Sequence, residues 1–276
     1  MRPEHGGDAN LDQYLSGQSL YGDDFSEEQV RQWFEDEREA YADLGARDRE
    51  SYSYEYHELN RRHLFRHVAG RRFESALGIG SAYGDEFMPL AEQVDQITIL
   101  EPSSALSRGD GPLGTPCRWV EPHASGDLPF ASGSFDLVTS LGALHHIPNV
   151  SHVLAECERV LSDRGVMLVR EPIVSMGDWS RPRHGVTKHE RGIPLPVFLG
   201  IAERSGFKIL QRSLCVFPIV PRLVKALGID AFNSPVLTRT DAILSWLFQW
   251  NIRYHATSAW QKLRPTALAL VLGKGP

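Results

Sequence analysis

Between residues 73 and 210 short apolar runs alternate with amphipathic stretches, the pattern of strands and helices taken in turn. The apolar runs fall at 73–79, 96–100, 118–120, 135–140 and 166–170, with two more at 206–210 and 266–272. Helical spacing lies between them at 85–92, at 150–161 with Gly165 as its stop, and at 195–205. Such alternation predicts an α/β fold with a mainly parallel sheet covered on both faces. Before it, Ser26 and Gln29 form a capping box, and Val30, Trp33, Phe34, Glu37, Tyr41 and Leu44 share one helical stripe. A second helical segment at 57–68 carries Leu59, Leu64, Phe65 and Val68. The expected organisation is a helical cap over 1–70, a core over 71–216, and a lid insertion plus the final core strand over 217–276.

Composition narrows the function classes. With 42% apolar and 23% charged residues, 276 residues bury a full core. A net charge of -6 argues against a nucleic-acid partner, which needs a basic surface. Cys117, Cys157 and Cys215 are odd in number and lack a CxxC pair, so they read as thiols of a reducing compartment. The opening residues hold no apolar targeting run and no stretch is long enough to span a bilayer, so the expected location is cytoplasmic, with no transmembrane segment.

Chemistry concentrates at Gly78-Ile79-Gly80-Ser81-Ala82-Tyr83-Gly84, where a buried strand would enter a Gly-rich turn and a helix would leave it. Unpaired N–H groups at such a turn cradle a ligand. One βα unit later, Glu101-Pro102 ends the next strand on a carboxylate able to accept both hydroxyl hydrogen bonds of a ribose. Together they predict a nucleoside-cofactor site. The further elements Leu128-Pro129-Phe130, Ser134-Phe135-Asp136 and Leu144-His145-His146-Ile147-Pro148 complete a set that resembles the class I S-adenosylmethionine-dependent methyltransferases, over about 73–210. The resemblance implies a doubly wound, mainly parallel seven-stranded sheet, the Rossmann-like methyltransferase fold, with S-adenosylmethionine as cofactor.

It also implies roles. Gly78, Gly80, Ser81 and Gly84 belong to the turn that holds the amino-acid end of the cofactor, Glu101 takes its ribose, backbone groups of Ala124 and Ser125 its adenine with Asp127 nearby, and Pro102 and Leu141 are further cofactor-binding candidates. The family pattern has an acidic residue where Gly78 stands, a glycine at Ala82 and an acidic residue at Ala124, so the ligand ammonium loses a partner that Glu101, Asp85 or a carbonyl must replace. His145 or His146 is the candidate proton acceptor for O-methylation, because imidazole takes a proton near neutral pH; the alternative is a pair that shapes the pocket. The spacing supplies no third ligand, so no metal is expected. Arg170 and Glu171 close the fifth strand on the same rim. Beyond them Arg181, Arg183, Lys188 and Arg191 oppose Asp178 and Glu190, a cationic loop suited to an anionic or glycan-like small-molecule acceptor, or else paired with the acidic cap. Tyr254 and His255 are further substrate-side candidates. Two rivals remain: an NAD-type oxidoreductase on a similar fold, and a non-catalytic partner subunit, the latter motivated by Gly78, Ala82 and Ala124.

Overall fold

The computed structural model describes residues 9–43, 49–50, 52–106, 111–177, 179, 183, 185–225 and 228–275. Seven strands, β1 (Ala76–Ile79), β2 (Ile97–Leu100), β3 (Cys117–Val120), β4 (Phe135–Leu141), β5 (Leu161–Pro172), β6 (Phe207–Cys215) and β7 (Ala267–Lys274), form one sheet in the order β3-β2-β1-β4-β5-β7-β6. The first five run parallel, and β7 is antiparallel to both β5 and β6. Helices α1 (Ala9–Leu15), α2 (Glu27–Glu37) and α3 (His57–His63) precede the sheet, α4 (Val150–Val160) and α5 (Leu195–Arg204) lie within it, and α6 (Ile219–Lys225) and α7 (Pro235–Leu247) fall between β6 and β7.

Alternation along each strand feeds two cores. In β5, Met167 and Val169 pack with Leu154, Cys157 and Val160 of α4 and with Phe198 and Ile201 of α5. Val166 and Leu168 point the other way, to Leu59, Leu64, Phe87, Phe217 and Phe232. Side chains two apart thus meet the same layer and neighbours meet opposite layers, which fixes the register of the central strands.

Several boundaries differ from those the pattern suggests. Helix α4 ends at Val160 and the chain passes directly into β5, so Gly165 lies in a strand and stops no helix. Between the paired positions Phe135/Leu161 and Leu137/Val166 the register shifts, and the extra residues 162–165 are taken up there. Segment Asp85–Gln93 winds as a 3-10 helix with Pro89 inside it, since proline has no N–H to donate. Strand β6 runs to Cys215, beyond the apolar run, because an edge strand paired only with β7 accepts the exposed Gln211 and Arg212.

The N-terminal helices lie across the carboxyl ends of the strands. Trp33, almost fully buried, donates from Nε1 to the His146 carbonyl at 2.7 Å, and Asp23 accepts from the Ser151 amide and hydroxyl at 2.8 and 2.6 Å. The capping box at Ser26 and Gln29 is formed as expected, and Leu44 falls outside the described residues. The long connection between β6 and β7 does not close over the sheet as a whole. Its helix α7 packs on α3, α6 and β6, and the connection reaches the cavity described below through its two ends, within 216–222 and at Thr266.

That connection is anchored by one carboxylate. Asp241 is wholly buried and accepts from the amides of Val216 and Phe217 at 2.9 and 2.6 Å, holding Val216 in a left-handed conformation at φ 62°. Replacing Asp241 with Ala leaves two buried donors without a partner, at a cost of about 2 kcal/mol, or roughly 4–8 °C in Tm. Asp241→Asn, which keeps one accepting oxygen, is expected to recover part of that loss, both read by thermal denaturation.

Candidate functional site

A cavity of about 940 Å³ opens at the carboxyl ends of β1, β2, β4 and β5, where open α/β sheets bind ligands. Its floor is made by residues 79–82, Leu100, Glu101, Pro102 and 141–143, and its outer wall by Phe34, Glu37 and Tyr52–Tyr56 of the N-terminal segment. The opening turns of the late insertion, Val216, Pro218, Pro221 and Arg222, complete the far side.

The turn after β1 is built for close approach. Gly80 has φ 61°, and a Cβ there would lie 2.6 Å from the Ala143 Cβ. Ala82 stands where the resemblance expects glycine and has φ 48°, a left-handed conformation that costs an L-residue about 1–2 kcal/mol. The cost is met locally: the Ala82 amide donates to Glu101 Oε2 at 3.0 Å, and its carbonyl accepts from Trp119 Nε1 at 2.9 Å. Glu101 Oε1 accepts from the Ser103 amide at 3.1 Å, so each carboxylate oxygen is fixed by one backbone donor and retains a second lone pair. Burial pushes the Glu101 carboxyl up to about 7, against the lowering effect of those two amides.

Gly78 explains itself in three dimensions. A Cβ at this position would sit 2.3 Å from Ser81 Oγ and 2.8 Å from the Phe87 ring, so no acidic side chain could occupy it. Into the same corner comes Glu86, which accepts from Ser81 Oγ at 2.8 Å and Thr139 Oγ1 at 2.6 Å, both through Oε1. It is buried and lines the cavity, burial raises its pKa, and no described residue donates to Oε2. Asp85, by contrast, is occupied by Arg49, whose two terminal nitrogens donate to its two oxygens at 2.7 and 2.8 Å. Sequence reading missed Glu86. The empty acidic position was the available signal, but only folding shows which carboxylate fills it.

The two histidines part company. His145 Nδ1 bonds Glu171 Oε2 at 2.7 Å and Nε2 lies 3.7 Å from Glu190 Oε1. Although burial opposes its charge, these two carboxylates hold its pKa up, to about 9, while Glu190 is pulled down to about 2, burial notwithstanding, by the same pairing. With its pKa held up and both ring nitrogens turned to carboxylates, His145 is placed to anchor the loop rather than to take a proton from an acceptor. Glu171, wholly buried, also accepts from the amides of Ala143 and Leu144, each at 2.9 Å, and so shapes the loop rather than facing a substrate. His146 has its pKa lowered, by burial first and then by the neighbouring His145 charge. It lines the cavity, with Nδ1 3.0 Å from Glu37 Oε2. One ligand atom from each of His145, His146 and Glu190 lies within 4.8 Å of the others, a three-ligand grouping that sequence spacing did not foresee because Glu190 arrives through the fold.

The remaining candidates divide sharply. Gly80, Ser81, Glu101, Pro102, Ala124 and Leu141 line the cavity, whereas Gly78, Gly84 and Ser125 stand behind it. Arg170 reaches the cavity but is buried and bound to Asn60 Oδ1 and the Leu141 carbonyl, with its guanidinium 4.2 Å from the Tyr56 ring centre. Among the described residues, the cations of the loop are not offered to the site. Arg183 donates to the carbonyls of Met176, Glu190, Thr187 and Lys188, and fully buried Arg191 to those of Tyr21, Leu144, His145, Ile147 and Pro148. Lys188 pairs with Asp36 of α2. The loop is therefore a brace between the acidic cap and the core, the alternative reading of its charge; Arg181 lies outside the described residues. Tyr254 donates to the Gly192 carbonyl at 2.7 Å and His255 Nδ1 bonds Ser175 Oγ at 2.8 Å, and neither lines the cavity.

Comparison with known proteins agrees with this geometry. Residues 77–169 match the family model of a methyltransferase domain. A methyltransferase-like structure from Bacillus halodurans superposes with a TM-score of 0.52 at 17% identity, covering 77% of this chain and 97% of that one. The [4+2]-cyclase SpnF gives 0.56 at 16% identity, over 91% and 97% of the two chains. The methyltransferase-like chain complexed with the Trm112 activator of Haloferax volcanii gives 0.54 at 13%, over 90% and 98%. No curated protein sequence matches the chain. The strand order, with an antiparallel β7 inserted between β5 and β6, also departs from the 3-2-1-4-5-6 sheet of dinucleotide-binding oxidoreductases. Residues 77–169 thus match a methyltransferase domain, and the seven-stranded sheet, with β7 antiparallel between β5 and β6, has the Rossmann-like methyltransferase fold.

Proposed function

We propose that the chain binds S-adenosylmethionine in the cavity and methylates a hydroxyl of a small-molecule acceptor. The observation that carries this reading is Glu101, a buried carboxylate at the end of β2 whose two oxygens are each fixed by a backbone amide and face the same cavity as the Gly80–Ala82 turn. The residues fit the group: Glu101 suits a ribose diol, and Glu86, with an oxygen that accepts from no described residue in a buried corner, suits an ammonium. When bound, the cofactor supplies an electrophilic methyl group on a sulfonium. The protein's part is to hold the acceptor in line and take its proton.

His146 is the group suited to the proton. It is uncharged at neutral pH, faces the cavity and is oriented through Nδ1 by Glu37. His145, charged beneath it with ring centres 4.2 Å apart, fixes the loop that carries both. Since the described loop cations, Arg183, Lys188 and Arg191, are engaged by carbonyls and by Asp36, they give no support to an anionic acceptor. The acceptor side of the cavity, with Tyr54, Tyr56, Val174, Met176 and Pro218, favours a partly apolar one. SpnF, a cyclase, shares the fold, and the Haloferax chain works beside an activator, so methyl transfer by this chain is to be measured directly.

Affinity for S-adenosylhomocysteine, measured by calorimetry, should rise with pH up to about 7 and then level, because the ribose requires the ionised Glu101; below that point each pH unit costs up to about tenfold. Glu101→Gln should weaken binding by about tenfold to a hundredfold and flatten the profile. An unchanged Kd in the folded variant removes Glu101 from the site.

Glu86→Gln is expected to weaken S-adenosylhomocysteine by about tenfold or more while leaving 5′-methylthioadenosine, which lacks the ammonium, almost untouched. Equal losses for both ligands would assign Glu86 to the architecture of the turn alone.

His146→Ala should slow single-turnover methyl transfer about a hundredfold with cofactor affinity retained. His145→Gln should instead lower Tm. Because the folded His145 pKa is raised, its stabilisation is complete below about 6.5 and disappears as pH passes about 9, so the Tm difference should shrink over that interval. Wild-type rates in His146→Ala would exclude it as the base.

A further inference from the structure

Helix α7 is amphipathic in the reverse sense. Its fully buried residues are polar, Thr238, Asp241 and Ser245 at helical spacing on one face, while Leu237 and Leu244 beside them pack half-buried against the core. Thr238 accepts from Arg62, and Asp241 holds the backbone at Val216 and Phe217. The outward face is apolar, with Val236, Ile243, Trp246 and Leu247 each more than half exposed. Trp250 and Trp260, 63% and 57% exposed, extend it with ring centres 6.2 Å apart. Among the described residues, eight of the twelve exposed large hydrophobics fall between Leu223 and Trp260. Isolated exposed apolar residues need no cause, but a contiguous patch of this kind marks an interaction surface.

Charge selects the partner. Arg222, Arg239, Arg253 and Lys262 are exposed in the same segment, and none makes an ion pair among the described residues. Arg239 lies on the helical row that continues through Ile243, Trp246 and Trp250, and Lys262 follows Trp260 in one short turn. The exposed acid of the segment, Asp230, is engaged by the Phe232 and Asn233 amides and the Asn233 side chain. The segment is thus cationic in a chain whose net charge is -6. A second copy would pair through the same patch on both subunits and bring these cations against themselves. Tryptophans flanked by Arg and Lys on a helix lying flat are suited instead to the headgroup layer of an anionic membrane.

We propose that the α7 face, from Val236 to Trp250 with Trp260, docks this protein on the surface of an anionic lipid bilayer. The docking is peripheral: no described helix is long and apolar enough to cross a membrane. The inference stands apart from the proposed methyl transfer, although Pro218, Pro221 and Arg222 at the cavity rim begin the same segment and put the opening beside the lipid.

Flotation of the full chain with vesicles of phosphatidylcholine containing about 30% phosphatidylglycerol, and with phosphatidylcholine alone, tests this together with tryptophan fluorescence. The expected result is binding to the anionic vesicles at least about tenfold above the neutral ones, weakened by salt and accompanied by a blue shift. Trp246→Ser with Trp250→Ser, and separately Arg239→Glu with Arg253→Glu, should each reduce flotation about tenfold or more without lowering Tm, since these side chains are exposed. Failure of the wild type to float, or flotation of both variants at the wild-type level, overturns the proposal. So does a stable dimer that the tryptophan variants dissociate and that vesicles do not, or a blue shift produced by an acidic protein and by no vesicle.

Discussion

Most of the site depends on one buried carboxylate. Glu171, at the end of β5, accepts from the Ala143 and Leu144 amides and from the His145 ring, and so joins the loop after β4 to its neighbouring strand. A charge wholly removed from water survives only with a full set of donors. The arrangement is self-consistent: Glu171 keeps His145 charged, His145 attracts Glu190, and Glu190 accepts from the Thr187 amide to order the loop behind the cavity. Removing any member strands another charge in the interior.

The fold was largely legible because it rests on local periodicity. Apolar runs with period two and helices with period 3.6 are imposed by the backbone, so the seven strands, their sequence and the cap at Ser26 could be read directly. What failed were junctions. Nothing local distinguishes a glycine that stops a helix from Gly165 in a bulged strand, since the difference lies in how β4 and β5 align. The length of β6 likewise depends on its having one neighbour, which is a property of the sheet.

The cavity floor was legible where a residue acts from its own position at a strand end, as Gly80 and Glu101 do, both of which line it. It was obscure where a role passes to a residue elsewhere in space. Gly78 looked like a lost carboxylate, yet its missing side chain makes room for Ser81, to which Glu86 is bonded. The cationic loop failed for the opposite reason. A count of charges cannot tell a guanidinium offered to solvent from Arg191, whose donors are taken by main-chain carbonyls. Glu190, read as a diluting acid in that loop, is the residue that reaches the histidines.

The outer wall of the cavity comes from the N-terminal segment, through Phe34, Glu37 and Tyr52–Tyr56, and the floor from strands that follow it. Two parts of the chain that enclose one ligand are linked by thermodynamic reciprocity: whatever holds the wall in place tightens the ligand, and the ligand in turn holds the wall. A ligand touching both parts therefore adds its binding energy to the docking of α2, which the Trp33 bond to His146 and the Glu37 contact beside it already hold.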